Sequence, residues 1–304
     1  MKATITFLLL AISSTLTGYA QSKSMTWKDF DLKGRVKSVE EISYLGVYKF
    51  GDLTKGRKIN EGEDKFNKNG YVVDRYYYSY DEDGEKEGFK QSFSYDKNDF
   101  LIGGTEEDDG ETIEFKLINN ASGKVETLDA LTKKGKLMLR QKTKYNAAGK
   151  ETEMAEYDAN GDLVKKTIYT YSASGDRKEE KTVDKNGKTV EVNISVFDSR
   201  GNVIEANMIE YKGSKKEEYL RKYTYNQANK KIEERNSISG LDKKETFAYD
   251  DKGNLIRNVD EYGSTQTITY TYDSQGNWIK KVVEENSAFL GEKTEITERT
   301  IRYY

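Results

Sequence analysis

The sequence predicts an all-β protein, an antiparallel meander of repeated β-hairpins forming an elongated, twisted and curled sheet. Three observations carry that expectation. The stretch 247–283 holds two turn signals, Tyr249-Asp250-Asp251-Lys252-Gly253-Asn254-Leu255 and Tyr272-Asp273-Ser274-Gln275-Gly276-Asn277-Trp278, set between β-formers such as Thr267 to Tyr272 and Trp278 to Val283. Glycines fall at 123, 135, 149, 161, 175, 187, 201 and 213, at intervals that alternate between 12 and 14. An aromatic residue followed by a short polar one recurs at Tyr145-Asn146, Tyr157-Asp158, Tyr171-Ser172, Phe197-Asp198 and Tyr225-Asn226. Two turns per repeat leave strands of roughly 8 to 10 residues, about twenty in all, because a hairpin loop takes about 2 to 5 residues.

The turns have a local chemistry. Asp at the first position accepts hydrogen bonds from backbone amides further along, and Gly at the fourth takes the left-handed conformation that a Cβ disfavours. This assigns Asp158 with Gly161, Asp198 with Gly201, Asp250 with Gly253, and Asp273 with Gly276 to type I turns closed by a glycine bulge. Asp99 and Asn229 stand in the glycine slot, and both residue types tolerate that conformation.

In chain order, Lys2, the apolar run from Phe7 to Ile12 and the small residues before Ala20 read as a secretory signal over 1–20, cleaved after Ala20. The run is shorter than the roughly 20 residues that cross a bilayer, so no transmembrane segment remains after cleavage. Residues 21–304 read as a single hairpin-repeat domain, clearest over 145–201 and 247–283. Phe30 to Val39 is a turn feeding a strand, with Val36, Ser38 and Glu40 on one side. Residues 50–63, with Gly51, Gly56 and Gly62, show little periodicity and read as a longer loop or irregular connection. Turns follow at Phe66 to Gly70, Tyr80 to Gly84 and Tyr95 to Asp99. Arg177 to Val183 is polar on both faces and predicts a single wet layer. Leu163, Ile168, Val203, Ile204 and the tyrosines predict the buried core.

Composition excludes whole classes of function. Cys, His and Pro are all absent, so there are no disulfides, no imidazole base, no Ser-His or Cys-His nucleophile and no His-ligated zinc. Loss of residues 1–20 removes one of 50 basic residues and none of 53 acids, leaving a net charge of −4 with both signs interleaved. Nucleic acid and anionic membranes demand a basic patch, and none is present. The chain is 35% hydrophobic and 34% charged, and 23 tyrosines with 11 phenylalanines supply apolar cover with polar tips.

Candidate sites are few. Tyr76, Tyr78 and Tyr80 share one strand face and form either a stacking platform for sugar rings or a set of packed cross-strand neighbours. Asp81-x-Asp83-Gly84, Asp158-x-Asn160-Gly161 and Asp184-x-Asn186-Gly187 lack the later bidentate Glu of a calcium loop and read as turn-formers, so no metal or cofactor is expected. Acidic runs such as Glu106 to Asp109 read as solvated charge. An outer-membrane barrel fits poorly, because Glu298, Thr300 and Arg302 share a face that lipid would require to be apolar.

The Tyr-Asp-x-x-Gly-Asn-Leu unit with a following Tyr-x-Tyr-Asp resembles the YD or Rhs repeat. The likeness is close over 247–283, recognisable from Tyr145 to Phe197 and degraded elsewhere. It implies a bacterial protein exported to the periplasm or cell surface, built of long hairpin sheets, and it transfers no catalytic residue. The functional expectation is a non-enzymatic binding or scaffold protein whose partner is carbohydrate or an envelope protein. The alternative is a carboxylate-dependent polysaccharide hydrolase, which needs two acids facing one groove.

Overall fold

A computed structural model describes residues 25–238, 241–288 and 291–304. The expected signal segment lies outside them. Twenty strands form one sheet: β1 (Val36–Lys49), β2 (Asp52–Phe66), β3 (Val72–Tyr80), β4 (Lys86–Tyr95), β5 (Leu101–Asp108), β6 (Glu111–Asn119), β7 (Val125–Thr132), β8 (Leu137–Tyr145), β9 (Glu151–Asp158), β10 (Leu163–Tyr171), β11 (Arg177–Asp184), β12 (Thr189–Phe197), β13 (Val203–Lys212), β14 (Lys215–Tyr225), β15 (Lys231–Ile238), β16 (Leu241–Tyr249), β17 (Leu255–Asp260), β18 (Thr265–Tyr272), β19 (Trp278–Ser287) and β20 (Gly291–Tyr303). Pairing is antiparallel between chain neighbours, as from β1 through β7 and from β9 through β18.

The expected turns form. Asp198 N donates to Asn202 O at 2.9 Å and Gly201 N to Asp198 O at 3.0 Å, while Asp198 Oδ1 accepts from the amides of Arg200 and Asn202 at 2.9 Å each. The same acceptor pattern recurs at Asp158, Asp250 and Asp273. A register shift follows inside the hairpin, as between Val196 and Phe197, which is the bulge. Asp99 and Asn229 take φ of 63° and 58°, as their glycine slots require.

The ends of the meander do not stay open. β20 pairs with β1 from Val36 opposite Tyr303 to Leu45 opposite Glu295, so the strand order is that of a closed β-barrel rather than the elongated, curled sheet expected from the sequence. The physical reason is that an end strand presents a row of unpaired amides and carbonyls, and two such ends satisfy each other. Ser43 Oγ and Thr297 Oγ1, both buried, meet at 2.9 Å across this seam, and Tyr304 N donates to Arg35 O at 2.9 Å. Residues 50–63 also differ from expectation. Most belong to β2, a 15-residue strand whose missing periodicity reflects register shifts opposite Ser43 to Gly46.

Contacts divide the chain into two compact units, one of residues up to 140 with 270–282 and 294–304, the other of 141–269 with 283–293. The first holds the apolar core, in which Val36, Val72, Phe93, Ile113, Phe115 and Leu128 pack together with Trp27 and Phe30 against them. Trp27 Nε1 donates to Val36 O at 2.7 Å, and Phe30 meets Phe66 edge-on at 5.5 Å. The second unit holds none of that core. None of its described residues from 184 to 267 is buried, and β11 buries only Val183. The core expected there does not form: Ile168 and Ile204 are each 37% exposed, and Leu163 and Val203 are half-buried. Strand alternation is the reason, since β10 turns Thr167 and Tyr169 to its buried side and thereby turns Ile168 away.

Candidate functional site

In β3, period-two alternation sends Asp74, Tyr76, Tyr78 and Tyr80 to one face and Arg75, Tyr77 and Ser79 to the other. Tyr76 and Tyr78 lie side by side, ring centroids 5.6 Å apart and tilted by 35°. Lys86 Nζ stands 4.3 Å from the Tyr78 ring centroid, a cation–π contact. Tyr80 is committed elsewhere. Its hydroxyl donates to Glu61 Oε1, and Lys58 both pairs with Glu61 at 2.7 Å and covers the Tyr80 ring at 4.3 Å. Burial opposes ionisation of Glu61, but hydrogen bonds from Lys58 and Tyr80 prevail and hold its carboxyl below the usual range.

The register around this face creates space. Tyr76 is opposite Lys90, which is opposite Glu107, while Tyr78 is opposite Gly88. A Cβ at Gly88 would lie 1.9 Å from the Tyr77 carbonyl oxygen, so the close approach of β3 and β4 requires glycine there. With no side chain opposite it on β4, Tyr78 flanks a cavity of about 410 Å³, lined also by Lys86, Lys90, Glu107 and Asp108. A second cavity of about 460 Å³ is lined by Tyr76, Asp74, Lys90, Ser92, Thr105 and Glu107. Lys90 and Glu107 are common to both. Burial, and then the neighbouring charges of Asp109 and Glu87, push the Asp108 carboxyl up.

On the opposite face lies a cluster of charge that sequence reasoning did not find. Arg299 of β20 donates to Glu41 of β1 at 2.6 Å, and its guanidinium stacks 3.3 Å from the Trp278 ring centroid. Asp64 of β2 and Arg75 of β3 approach to 3.2 Å without hydrogen-bond geometry. Burial pushes the Asp64 carboxyl up to about 6, and the opposing charge of Arg75 does not offset it. No sequence signal marks this cluster, because Glu41 and Arg299 are 258 positions apart.

Of the residues singled out from the sequence, Tyr76 and Tyr78 line the cavities and Tyr80 does not. Asp158, Gly161, Asp198, Gly201, Asp250, Gly253, Asp273 and Gly276 all sit in hairpin turns. Among the described residues, no cluster of three or more His, Cys, Asp or Glu side chains is placed to hold a metal ion. Lys86, Gly88 and Lys90 were legible in principle: the tight turn from Asp81 to Gly84 sets Tyr80 opposite Lys86, and counting outward by twos gives the other pairs.

No protein-family model matches the chain, and no curated protein matches it. Among solved structures the chain is similar to a porin-like protein from Bacteroides uniformis, at 10% identity over 92% of this chain and 99% of that one, with a TM-score of 0.32. It is also similar to a porin-like protein from Bacteroides vulgatus, at 11% identity over 88% and 98% of the two chains and a TM-score of 0.29. Against the TcdB2-TccC3 crystal structure the identity is 12% and the TM-score 0.34, over 85% of this chain and 18% of that one. At such values the residues of this chain must carry the functional reading.

Proposed function

We propose that this protein is an exported, non-enzymatic binding module of YD/Rhs-like repeats, and that it holds carbohydrate over Tyr76 and Tyr78. The observation that supports this is the pairing of Tyr78 with Gly88, which leaves an aromatic ring beside an unfilled cavity whose lining is polar. Tyrosine offers an apolar face for a sugar ring, and the surrounding Lys, Glu, Asp, Ser and Thr offer hydrogen bonds to its hydroxyls. Export rests on the residue pattern of 1–20.

The test is a glycan-array screen of residues 21–304 beside a Tyr76→Ala/Tyr78→Ala variant whose fold is checked by circular dichroism. Binding that the folded variant loses supports the reading. Absence of binding to any glycan removes it and turns attention to an envelope protein partner, sought by pull-down.

A polysaccharide hydrolase is the second reading, favoured by the raised carboxyl of Asp108 beside Glu107 in the same cavity. Release of reducing ends from a polysaccharide by the wild type, lost in Asp108→Asn, is the outcome that would favour it.

A further inference from the structure

The two cavities share a wall, and that wall belongs to the strand register. Tyr76, Lys90 and Glu107 form one row across β3, β4 and β5, with Thr112 of β6 next in line. The cavity beside Tyr78 lies on one side of this row, with Gly88 and Gly110 in its lining, and the other, with Asp74, Ser92 and Thr105, lies on the other side. The two therefore follow one another along the strand direction. Equivalent rows on one face are separated by two residues, about 6.6 to 6.8 Å, the scale of a single sugar ring.

From this we infer that the ligand is a linear oligosaccharide whose chain runs along β3 and β4 and occupies two subsites, one against Tyr78 and one against Tyr76. This rests on the carbohydrate reading above and adds its geometry. The Lys90–Glu107 row separates the subsites, and its ammonium and carboxylate face the linkage between successive rings, where hydroxyls from both need partners. Each cavity is of the size that single small-molecule sites have, about 300 to 1,000 Å³. A chain filling both gains from linkage, because the second ring binds at the high effective concentration set by the first. A compact single-sugar ligand gains nothing from the second cavity.

The test is calorimetric titration of the mature chain with cello-, chito-, manno- and xylo-oligosaccharides, each as monosaccharide and tetrasaccharide. The expected result is at least one series in which the tetrasaccharide binds tenfold or more tighter than its monosaccharide. Tyr76→Ala and Tyr78→Ala should each reduce that ratio to near one, while Tyr76→Phe and Tyr78→Phe, which keep the ring, should preserve it. Equal affinity of monosaccharide and tetrasaccharide would overturn the two-subsite geometry while leaving the carbohydrate reading intact. An undiminished ratio in both folded alanine variants would place the subsites elsewhere. Absence of binding in all four series and on the glycan array would overturn both readings.

Discussion

The Tyr225 hydroxyl donates to the carbonyl oxygen of Val203 at 2.8 Å, joining the last residue of β14 to the first residue of β13. Tyr95 does the same to Val72 at 2.6 Å and Tyr249 to Lys231 at 2.7 Å, and Asn119 makes the equivalent bond to Leu101 through its side-chain amide. At these three hairpins the recurring tyrosine is thus a clamp across the open end, opposite the tight turn. Its ring ends a strand, and its hydroxyl donates to the backbone carbonyl of the residue that opens the preceding strand.

Removing one clamp is a clean test. Tyr225→Phe keeps the ring and deletes the hydroxyl, and the expected loss is about 0.5 to 1.5 kcal/mol. Urea unfolding should show a lower midpoint with an unchanged slope, since the surface exposed on unfolding hardly differs.

Asp198 and Asp158, each at the first position of a turn, make the fold sensitive to acid. Hydrogen bonds from Asn202 and Arg200 hold the Asp198 carboxyl at about 2, against the burial that opposes them, and amides of Asp162 and Asn160 lower Asp158. A folded-state pKa below the unfolded value near 4 means stability that is present above about pH 4 and lost as pH falls toward 2. Thermal melts over that range should show a falling midpoint, with a shallower fall in Asp198→Asn.

Asp64 acts with the opposite sign. Its folded pKa of about 6 exceeds the unfolded value, so its contribution is fully present below about pH 4 and is lost as pH rises through 6. The groups facing it are Arg75, Glu41, Arg299 and Glu63. The change amounts to about 3 kcal/mol over that window. Asp64→Asn should flatten the stability profile between pH 4 and 6, and NMR titration of the side-chain carboxyl should give its midpoint near 6 in the wild type.

Gly88 and Gly187 should respond differently to Ala. At Gly187 the Cβ meets nothing within 4 Å, and only the φ of 81° is unfavourable, costing about 1 to 2 kcal/mol. At Gly88 the Cβ meets the Tyr77 carbonyl oxygen, which is backbone and cannot move aside without breaking the ladder, so the cost should be larger, about 3 kcal/mol or more. Equilibrium denaturation of the two variants checks the order.

Within the candidate site, the sequence located the strand face but not its neighbours' roles. Tyr76 and Tyr78 followed from alternation, whereas Tyr80 carried the same signal and is taken by Lys58 and Glu61. Alternation reports which face a residue takes and says nothing of what the adjacent strand places over it.

By itself the sequence determined the all-β meander, about twenty strands, the turn positions and the left-handed conformations of Asp99 and Asn229. These are set by interactions spanning a few residues, such as Asp198 with the amides of Arg200 and Asn202, so their cause is written locally. Only the tertiary structure decided the closure of β20 on β1, the placing of the core around Val36, Val72 and Phe115 instead of Ile168 and Ile204, and the meeting of Glu41 with Arg299. Those outcomes depend on which distant strands come to share an edge, and a hairpin whose turn fixes its register leaves the partner of its outer edge unspecified.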